Sequence, residues 1–153
     1  MGRVVKNHEL NECNTGESME NEIKKAGKIK LLFVDDEKGF VHVLSNRLSK
    51  RGIDVCQAYS GAEGIRALRK QDFDVALLDL KMDDMDGLDV LKIFKKMYPQ
   101  MEVIMLTGHG SEVAAREGIE NGAFDYLTKP CELDELLEKI HDAMKSKGGK
   151  ENE

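Results

Sequence analysis

Residues 29–36 read IKLLFVDD, a short apolar run that ends in two aspartates. From Leu31 to Val34 the apolar positions are continuous and do not alternate with polar ones, which is typical of a strand buried on both faces of a parallel sheet. Residues 75–79, VALLD, and residues 103–107, VIMLT, repeat this pattern, each with a polar residue after the apolar run. Three such strands predict a sheet that is covered by helices on both sides.

Segments with helical periodicity follow the predicted strands. Apolar residues three and four positions apart predict helices at about residues 37–50, 87–97, 111–121 and 132–145, and another that begins near Ser60. Two further strands are predicted at residues 53–58 and 123–127. The strand–helix unit therefore occurs five times. This predicts an α/β protein with a (βα)5 doubly wound, flavodoxin-like three-layer sandwich, whose parallel five-stranded sheet has the order 2-1-3-4-5.

Length and composition favour one globular domain between two polar ends. The chain has 153 residues, within the range of roughly 100–200 residues that is usual for one domain. We expect a flexible N-terminal tail at residues 1–28, a folded domain at residues 29–147, and a C-terminal tail or truncated linker at residues 148–153.

Charge and hydropathy exclude several classes of function. The net charge is −6, whereas nucleic-acid binding needs clustered Lys and Arg for phosphate contacts. No apolar run approaches the ~20 residues of a membrane-spanning helix, and the N-terminus has no apolar signal-peptide segment. We therefore expect a cytoplasmic protein that binds neither nucleic acid nor membranes directly.

Polar side chains stand directly after the predicted strands. They are Asp35 and Asp36 after the first strand, Asp79 after the third, Thr107 (followed by Gly108) after the fourth, and Lys129 (followed by Pro130) after the fifth. In a doubly wound sheet, ligands bind at this edge, between the first and third strands. Neighbouring carboxylates repel one another unless a cation or a proton intervenes. Mg²⁺ suits such a site, and the backbone carbonyl of Lys81 is a further candidate ligand.

The aspartate-rich stretch at residues 79–89 raises an EF-hand calcium site as an alternative. If Gly87 is aligned with the invariant glycine of that loop, Met82 falls at the first ligand position. Ile93 then falls where the bidentate glutamate belongs. The EF-hand interpretation is therefore excluded.

The combined pattern resembles the receiver domain of two-component response regulators, which belong to the CheY-like superfamily. Besides the residues at the strand ends, Met82 and Gly87 match at three and eight positions after Asp79, and Tyr126 matches at three positions before Lys129. The resemblance covers about residues 29–147. Within the family, the stretches LTGHGS (106–111) and GAFDYLTKP (122–130) are similar to the receivers of NtrC-type transcriptional activators.

The resemblance implies a phosphorylation site at the strand ends. Asp79 is the implied phosphoacceptor, which takes a phosphoryl group from a histidine kinase or a phosphotransfer protein. Asp36 is expected to bind Mg²⁺ (or Mn²⁺ in its place) directly, and Asp35 directly or through water. The other implied roles are charge pairing of a phosphoryl oxygen by Lys129, hydroxyl donation by Thr107, space for the donor at Gly108, and a cis peptide bond at Pro130.

The resemblance also implies a conformational output. Thr107 moves toward the phosphoryl group and the ring of Tyr126 enters the vacated space, which changes the surface of the fourth helix, fifth strand and fifth helix. That surface is expected to control a partner protein or a missing output domain, and to form a phosphorylation-linked homodimer. Lys81 and His109 are expected to tune dephosphorylation. The chain is not expected to be an enzyme beyond its own phosphoryl transfer and autodephosphorylation.

One position departs from the family pattern. Asp83 stands where the family commonly has proline, so the loop is expected to be less pre-organised. Asp83, Asp84 and Asp86 are interpreted as solvated loop charges, although they could also attract a cation.

Three other functions compete with phosphorylation signalling. A Mg²⁺-dependent phosphatase with an aspartyl nucleophile usually carries a DxD pattern after its first strand, which this chain lacks. A flavin or nucleotide binder lacks its glycine-rich motif here, and aromatic residues are only 5%. A receiver-like interaction module that takes no phosphate is disfavoured because the five site residues are intact.

Overall fold

The computed structural model describes residues 28–108 and 111–151, with side chains up to residue 147. Within these ranges, strands and helices alternate five times. The strands are β1 (Ile29–Val34), β2 (Ile53–Ala58), β3 (Val75–Asp79), β4 (Glu102–Thr107) and β5 (Asp125–Thr128). The helices are α1 (Lys38–Lys50), α2 (Gly61–Lys70), α3 (Gly87–Met97), α4 (Glu112–Glu120) and α5 (Leu133–Glu151).

The five strands form one parallel sheet of order β2-β1-β3-β4-β5. This confirms the predicted strand order. Alternate residues of the central strands face opposite helical layers, as the twofold repeat of a strand requires. Leu32 and Leu78 pack with residues of α2 and α3, whereas Leu31 and Leu77 pack with residues of α1 and α5. Because both faces are buried, the strands need the continuous apolar runs seen in the sequence.

The C-terminal third departs in detail from the predicted element bounds. The fifth strand starts at Asp125 and not at Ala123, because the Ala123 N–H donates to the Gly118 carbonyl at the end of α4. The last helix was predicted to end near Lys145, but α5 continues to Glu151 and includes Gly148 and Gly149. A glycine in a helix costs about 1 kcal/mol relative to alanine, which a helix already packed on the sheet tolerates.

The N-terminal tail predicted at residues 1–28 lies outside the described residues except for Lys28. Among the helices that the structure describes, none is long and apolar enough to cross a membrane.

Candidate functional site

The carboxyl ends of the strands bring the predicted site residues to one edge of the sheet. Asp35 follows β1, and its N–H donates to the Ala58 carbonyl at the end of β2. Asp79 is the last residue of β3. The Lys129 N–H donates to the Thr107 carbonyl at 2.8 Å, which holds the segment after β5 beside the end of β4. Backbone pairing thus fixes the positions of these side chains.

Three carboxylates form the centre of the site. Asp35, Asp36 and Asp79 each offer one oxygen, and these oxygens lie within 4.8 Å of one another. Asp35 is fully buried and Asp79 is 6% exposed. Like charges this close oppose one another, and burial strengthens the repulsion. The cluster therefore favours a bound cation or retained protons.

One ammonium group faces this cluster. Lys129 Nζ lies 2.9 Å from Asp35 Oδ2, 2.8 Å from Glu37 Oε1 and 3.6 Å from Asp79 Oδ1. It also lies 4.8 Å from the centroid of the Phe40 ring, within the range of a cation–π contact. The single positive charge of Lys129 thus lies close to three negatively charged carboxylates.

The shifted pKa values show this imbalance. Burial, followed by the charge of Asp35, raises the pKa of Asp79 to about 6, although Lys129 opposes the shift. Burial also raises the pKa of Asp35, against the opposing effects of the Lys129 ammonium and of the Glu37 N–H. For Lys129, burial would lower the pKa, but its contacts with Asp35 and Glu37 outweigh burial and the pKa is raised.

The donor set fits a divalent cation. Asp35 Oδ2 is a buried oxygen that accepts no hydrogen bond from the described residues, and its contact with Lys129 is an ion pair without hydrogen-bond geometry. Oxygen ligands from one or two carboxylates are what Mg²⁺ prefers. Asp35, Asp36 and Asp79 are therefore able to hold Mg²⁺.

The residues after β3 return close to the site. Lys81 pairs with Asp86 in an isolated antiparallel bridge, and the Gly87 N–H donates to the Leu80 carbonyl at 2.8 Å. A Cβ atom on Gly87 would lie only 2.3 Å from the Asp79 carbonyl oxygen. The tight turn beneath Asp79 thus requires glycine at position 87.

Comparisons with known proteins agree with this geometry. The family model of the response regulator receiver domain matches residues 31–141, more than half of the chain. The chain belongs to the response regulator receiver domain family.

Curated relatives of this receiver domain are transcriptional regulators, which agrees with the resemblance to NtrC-type receivers. GlrR of Escherichia coli (strain K12) is 43% identical over 114 residues, which are 74% of this chain and 26% of GlrR. NtrC of Proteus hauseri is 41% identical over 112 residues, 72% of this chain and 24% of NtrC. The chain thus spans about a quarter of the length of these relatives.

Solved structures show the same fold. A CheY-like receiver domain protein from Methanospirillum hungatei JF-1 has a TM-score of 0.77 and 30% identity, and the match covers 81% of this chain and 99% of that one. NtrX from Brucella abortus has a TM-score of 0.78 and 28% identity, over 82% of this chain and 28% of NtrX.

The other expected site residues that the structure describes lie on β4 and β5 or directly after them. Thr107 is buried, and its hydroxyl donates to the Leu127 carbonyl at 3.4 Å. Tyr126 is half-buried against the core cluster that contains Met105. A Cβ atom on Gly108 would meet nothing within 4 Å. The Lys129–Pro130 peptide bond is cis. His109 lies outside the described residues.

Three acidic residues of the receiver domain have contacts that the sequence did not predict. Glu37 contacts Lys129 across 92 positions, and sequence spacing gives no signal for such a pair. Asp84 and Asp86, interpreted as solvated loop charges, are indeed exposed, but both also cap helix N-termini. Asp86 Oδ1 accepts from the Leu88 N–H at the start of α3, a cap that the sequence DGLD could have revealed. Asp84 accepts two backbone N–H groups of α2.

Proposed function

We propose that this receiver domain is a phosphorylation-activated switch in which Asp79 accepts a phosphoryl group in a Mg²⁺-dependent reaction. The donor is the phosphohistidine of a histidine kinase or of a phosphotransfer protein. The observation that carries the proposal is the cluster of Asp35, Asp36 and Asp79, with Lys129 Nζ 3.6 Å from Asp79. The family membership supports it, since two-component receivers act as phosphoacceptors.

The chain's own residues supply the nucleophile and one positive charge. An Asp79 carboxylate oxygen forms a bond to phosphorus while the bond from phosphorus to the histidine nitrogen breaks, and the imidazole leaves. Asp35, Asp36, Asp79 and the Lys81 carbonyl would hold Mg²⁺, which would neutralise charge on a phosphoryl oxygen. Lys129 pairs with a second oxygen as a point charge. The Thr107 hydroxyl donates a hydrogen bond to a third phosphoryl oxygen, and Gly108 leaves space for the phosphodonor to approach.

The conformational change that produces the signalling output starts from the contacts of Thr107. When the Thr107 hydroxyl leaves the Leu127 carbonyl for the phosphoryl group, the Tyr126 ring enters the vacated space. The surface formed by α4, β5 and α5 then changes its preferred state and controls a partner or an output domain. Lys81 and His109 set the lifetime of the acyl phosphate. The receiver catalyses only its own phosphorylation and dephosphorylation, and it acts in the cytoplasm without binding nucleic acid.

Intact-mass spectrometry tests the phosphoacceptor. The chain is incubated with acetyl phosphate or phosphoramidate, with Mg²⁺, with Mn²⁺ or with EDTA. We expect a mass gain of one phosphoryl group with either metal, a much smaller gain in EDTA, and none in Asp79→Asn. Asp74→Asn, at the opposite edge of the sheet, is the matched control and should be labelled normally. A gain that survives Asp79→Asn would refute the proposal.

Size-exclusion chromatography with and without beryllofluoride tests the output surface. We expect a homodimer through α4 and α5 only when beryllofluoride is present, and a smaller shift in Tyr126→Ala. A chain that stays monomeric under both conditions would remove dimerisation from the proposal while leaving phosphorylation intact.

A further inference from the structure

The loop of residues 80–86, which joins β3 to α3, contacts both the acidic site and α2. Asp84 lies in this loop, and its side chain connects the loop to α2. Asp84 Oδ1 accepts from the Gly61 N–H at 3.0 Å, and Oδ2 accepts from the Ala62 N–H at 3.1 Å. These hydrogen bonds lower the pKa of Asp84. A residue 23 positions away in sequence thus caps the helix with both carboxylate oxygens.

The cap completes the N-terminus of α2. The first four N–H groups of a helix have no partner inside the helix. Among these groups, Asp84 accepts from the Gly61 and Ala62 N–H groups, and Ser60 Oγ accepts from the Glu63 N–H at 3.0 Å. The Gly64 N–H makes the first ordinary helical bond, to the Ser60 carbonyl at 3.0 Å. Of these three side-chain capping contacts, two therefore come from the loop.

Close packing strengthens this junction. A Cβ atom on Gly61 would lie 2.9 Å from Met85 Sδ and 2.9 Å from Val90 Cγ2. Met85 also packs against the core cluster between the sheet and α2. The loop is thus fastened to α2 by a hydrogen-bonded side chain and by an apolar one next to it.

On its other side, the same loop contacts a candidate metal ligand. The Asp83 N–H donates to Asp36 Oδ2 at 2.9 Å. Proline, which the family commonly has at this position, carries no N–H and could not make this bond. In this chain the backbone next to Asp84 therefore fixes the orientation of the Asp36 carboxylate.

We propose that Asp84 is a positioning residue for the metal site: it anchors the loop to α2, so that the Asp83 N–H holds Asp36 in the orientation that binds Mg²⁺. The inference rests on the proposed function, since it takes Asp36 as a Mg²⁺ ligand. Without the anchor the loop moves away from Asp36, and the carboxylate must be ordered when the cation binds. Removing Asp84 therefore weakens Mg²⁺ binding, although Asp84 does not touch the ion.

Titration of the full chain with Mg²⁺, measured by isothermal titration calorimetry, tests the proposal. Three matched variants are compared with the unmodified chain. Asp84→Ala should raise the Mg²⁺ Kd roughly ten-fold, the lower end of what is seen when a residue that orients a metal ligand is lost. Asp83→Ala removes a neighbouring negative charge but keeps the backbone N–H, so it measures the effect of charge alone. Ser60→Ala removes the other cap of α2 without touching the loop, so it measures the effect of helix stability alone. Both controls should change Kd less than about three-fold.

Backbone amide exchange provides a readout that does not depend on the metal. In Asp84→Ala, the amides of Gly61, Ala62 and Asp83 should all exchange faster, whereas in Ser60→Ala the Asp83 amide should keep its protection. Asp84→Asn retains one acceptor oxygen and should give an intermediate Kd.

Two outcomes would overturn the inference in different ways. If the unmodified chain binds Mg²⁺ and Asp84→Ala changes Kd no more than the two controls do, the positioning role of Asp84 fails and the proposed function stands. If the unmodified chain binds no Mg²⁺, the proposed function fails together with the inference.

Discussion

The two edges of the sheet differ in how their charges are balanced. At the amino edge, the Lys30 N–H donates to Asp74 Oδ2 at 2.8 Å, Lys30 Nζ donates to Gln71 Oε1 at 3.0 Å, and Lys147 Nζ lies 3.8 Å from Asp74 Oδ1. Asp74, the carboxylate just before β3, thus has positive and hydrogen-bonding partners. At the carboxyl edge, the Lys129 ammonium contacts Asp35, Glu37 and Asp79, and Asp36 lies in the same carboxylate cluster.

This difference separates contacts that stabilise the fold from contacts that prepare for a ligand. Paired polar groups at the amino edge contribute a modest net stabilisation. Crowded, buried carboxylates at the carboxyl edge lower stability unless a cation or a proton joins them. The polar contacts at the amino edge thus stabilise the folded chain. The carboxylates at the carboxyl edge lower its stability in the absence of a ligand.

The largest expected effect comes from removing the ammonium of the carboxyl edge. Lys129→Met leaves the buried Asp35 and Asp79 without their positive partner, so the free energy of unfolding should fall by about 3 kcal/mol. Urea denaturation near pH 7.5 in EDTA measures this loss, and added Mg²⁺ should recover part of it.

The matched control for this variant is an ion pair away from the site. Lys139 Nζ lies 2.7 Å from Asp125 Oδ2, with both side chains about one-third exposed. Exposed pairs contribute roughly 0–1 kcal/mol, so Lys139→Met should cost far less than Lys129→Met. Equal losses in the two variants would contradict the contrast between a ligand-binding edge and an ordinary surface.

A smaller effect, of opposite sign, is expected from Asp79→Asn. Burial and the neighbouring Asp35 raise the pKa of Asp79 from 3.8 to about 6. A carboxyl with a higher pKa in the folded chain binds protons more tightly when folded, so the folded state loses stability as pH rises from about 4 through 6. Near pH 7.5 in EDTA, Asp79→Asn should therefore raise the free energy of unfolding by about 2 kcal/mol.

The pH dependence makes this prediction specific. The gain in Asp79→Asn should shrink as pH falls through 6 and disappear below about 4, where the carboxyl is protonated in both states. Urea denaturation at four pH values measures it, with Asp74→Asn as the amino-edge control for which no gain is expected. A gain that stays constant with pH would show that the aspartate charge is not its cause.

The sheet and the placement of the charged residues at its carboxyl edge could be predicted from sequence, because both depend on local patterns. The apolar run before Asp79 marks a buried strand, and parallel strands bring their ends to the same edge. Asp35, Asp36, Asp79 and Lys129 could therefore be grouped without knowledge of any distance.

Side-chain contacts between residues far apart in sequence could not be predicted in this way. Nothing in the spacing of Asp84 and Gly61 shows that a carboxylate meets a helix N-terminus 23 positions away. The pairing of Glu37 with Lys129 depends on how the segment after β5 approaches the end of β1. The end of α5 was missed because Gly148 and Gly149 were taken to end the helix, whereas the helix continues through them to Glu151.

The smallest expected effect belongs to the amino edge. Asp74→Ala removes the acceptor of the Lys30 N–H, which should cost about 1 kcal/mol of unfolding free energy. The two edges lie about 20 Å apart along strands of five or six residues, so the loss should be the same with and without Mg²⁺. In the double variant with Asp79→Asn, the two changes should add within about 0.5 kcal/mol. A larger deviation in urea denaturation would mean that the edges are coupled through the strands, and the amino edge would then belong to the switch.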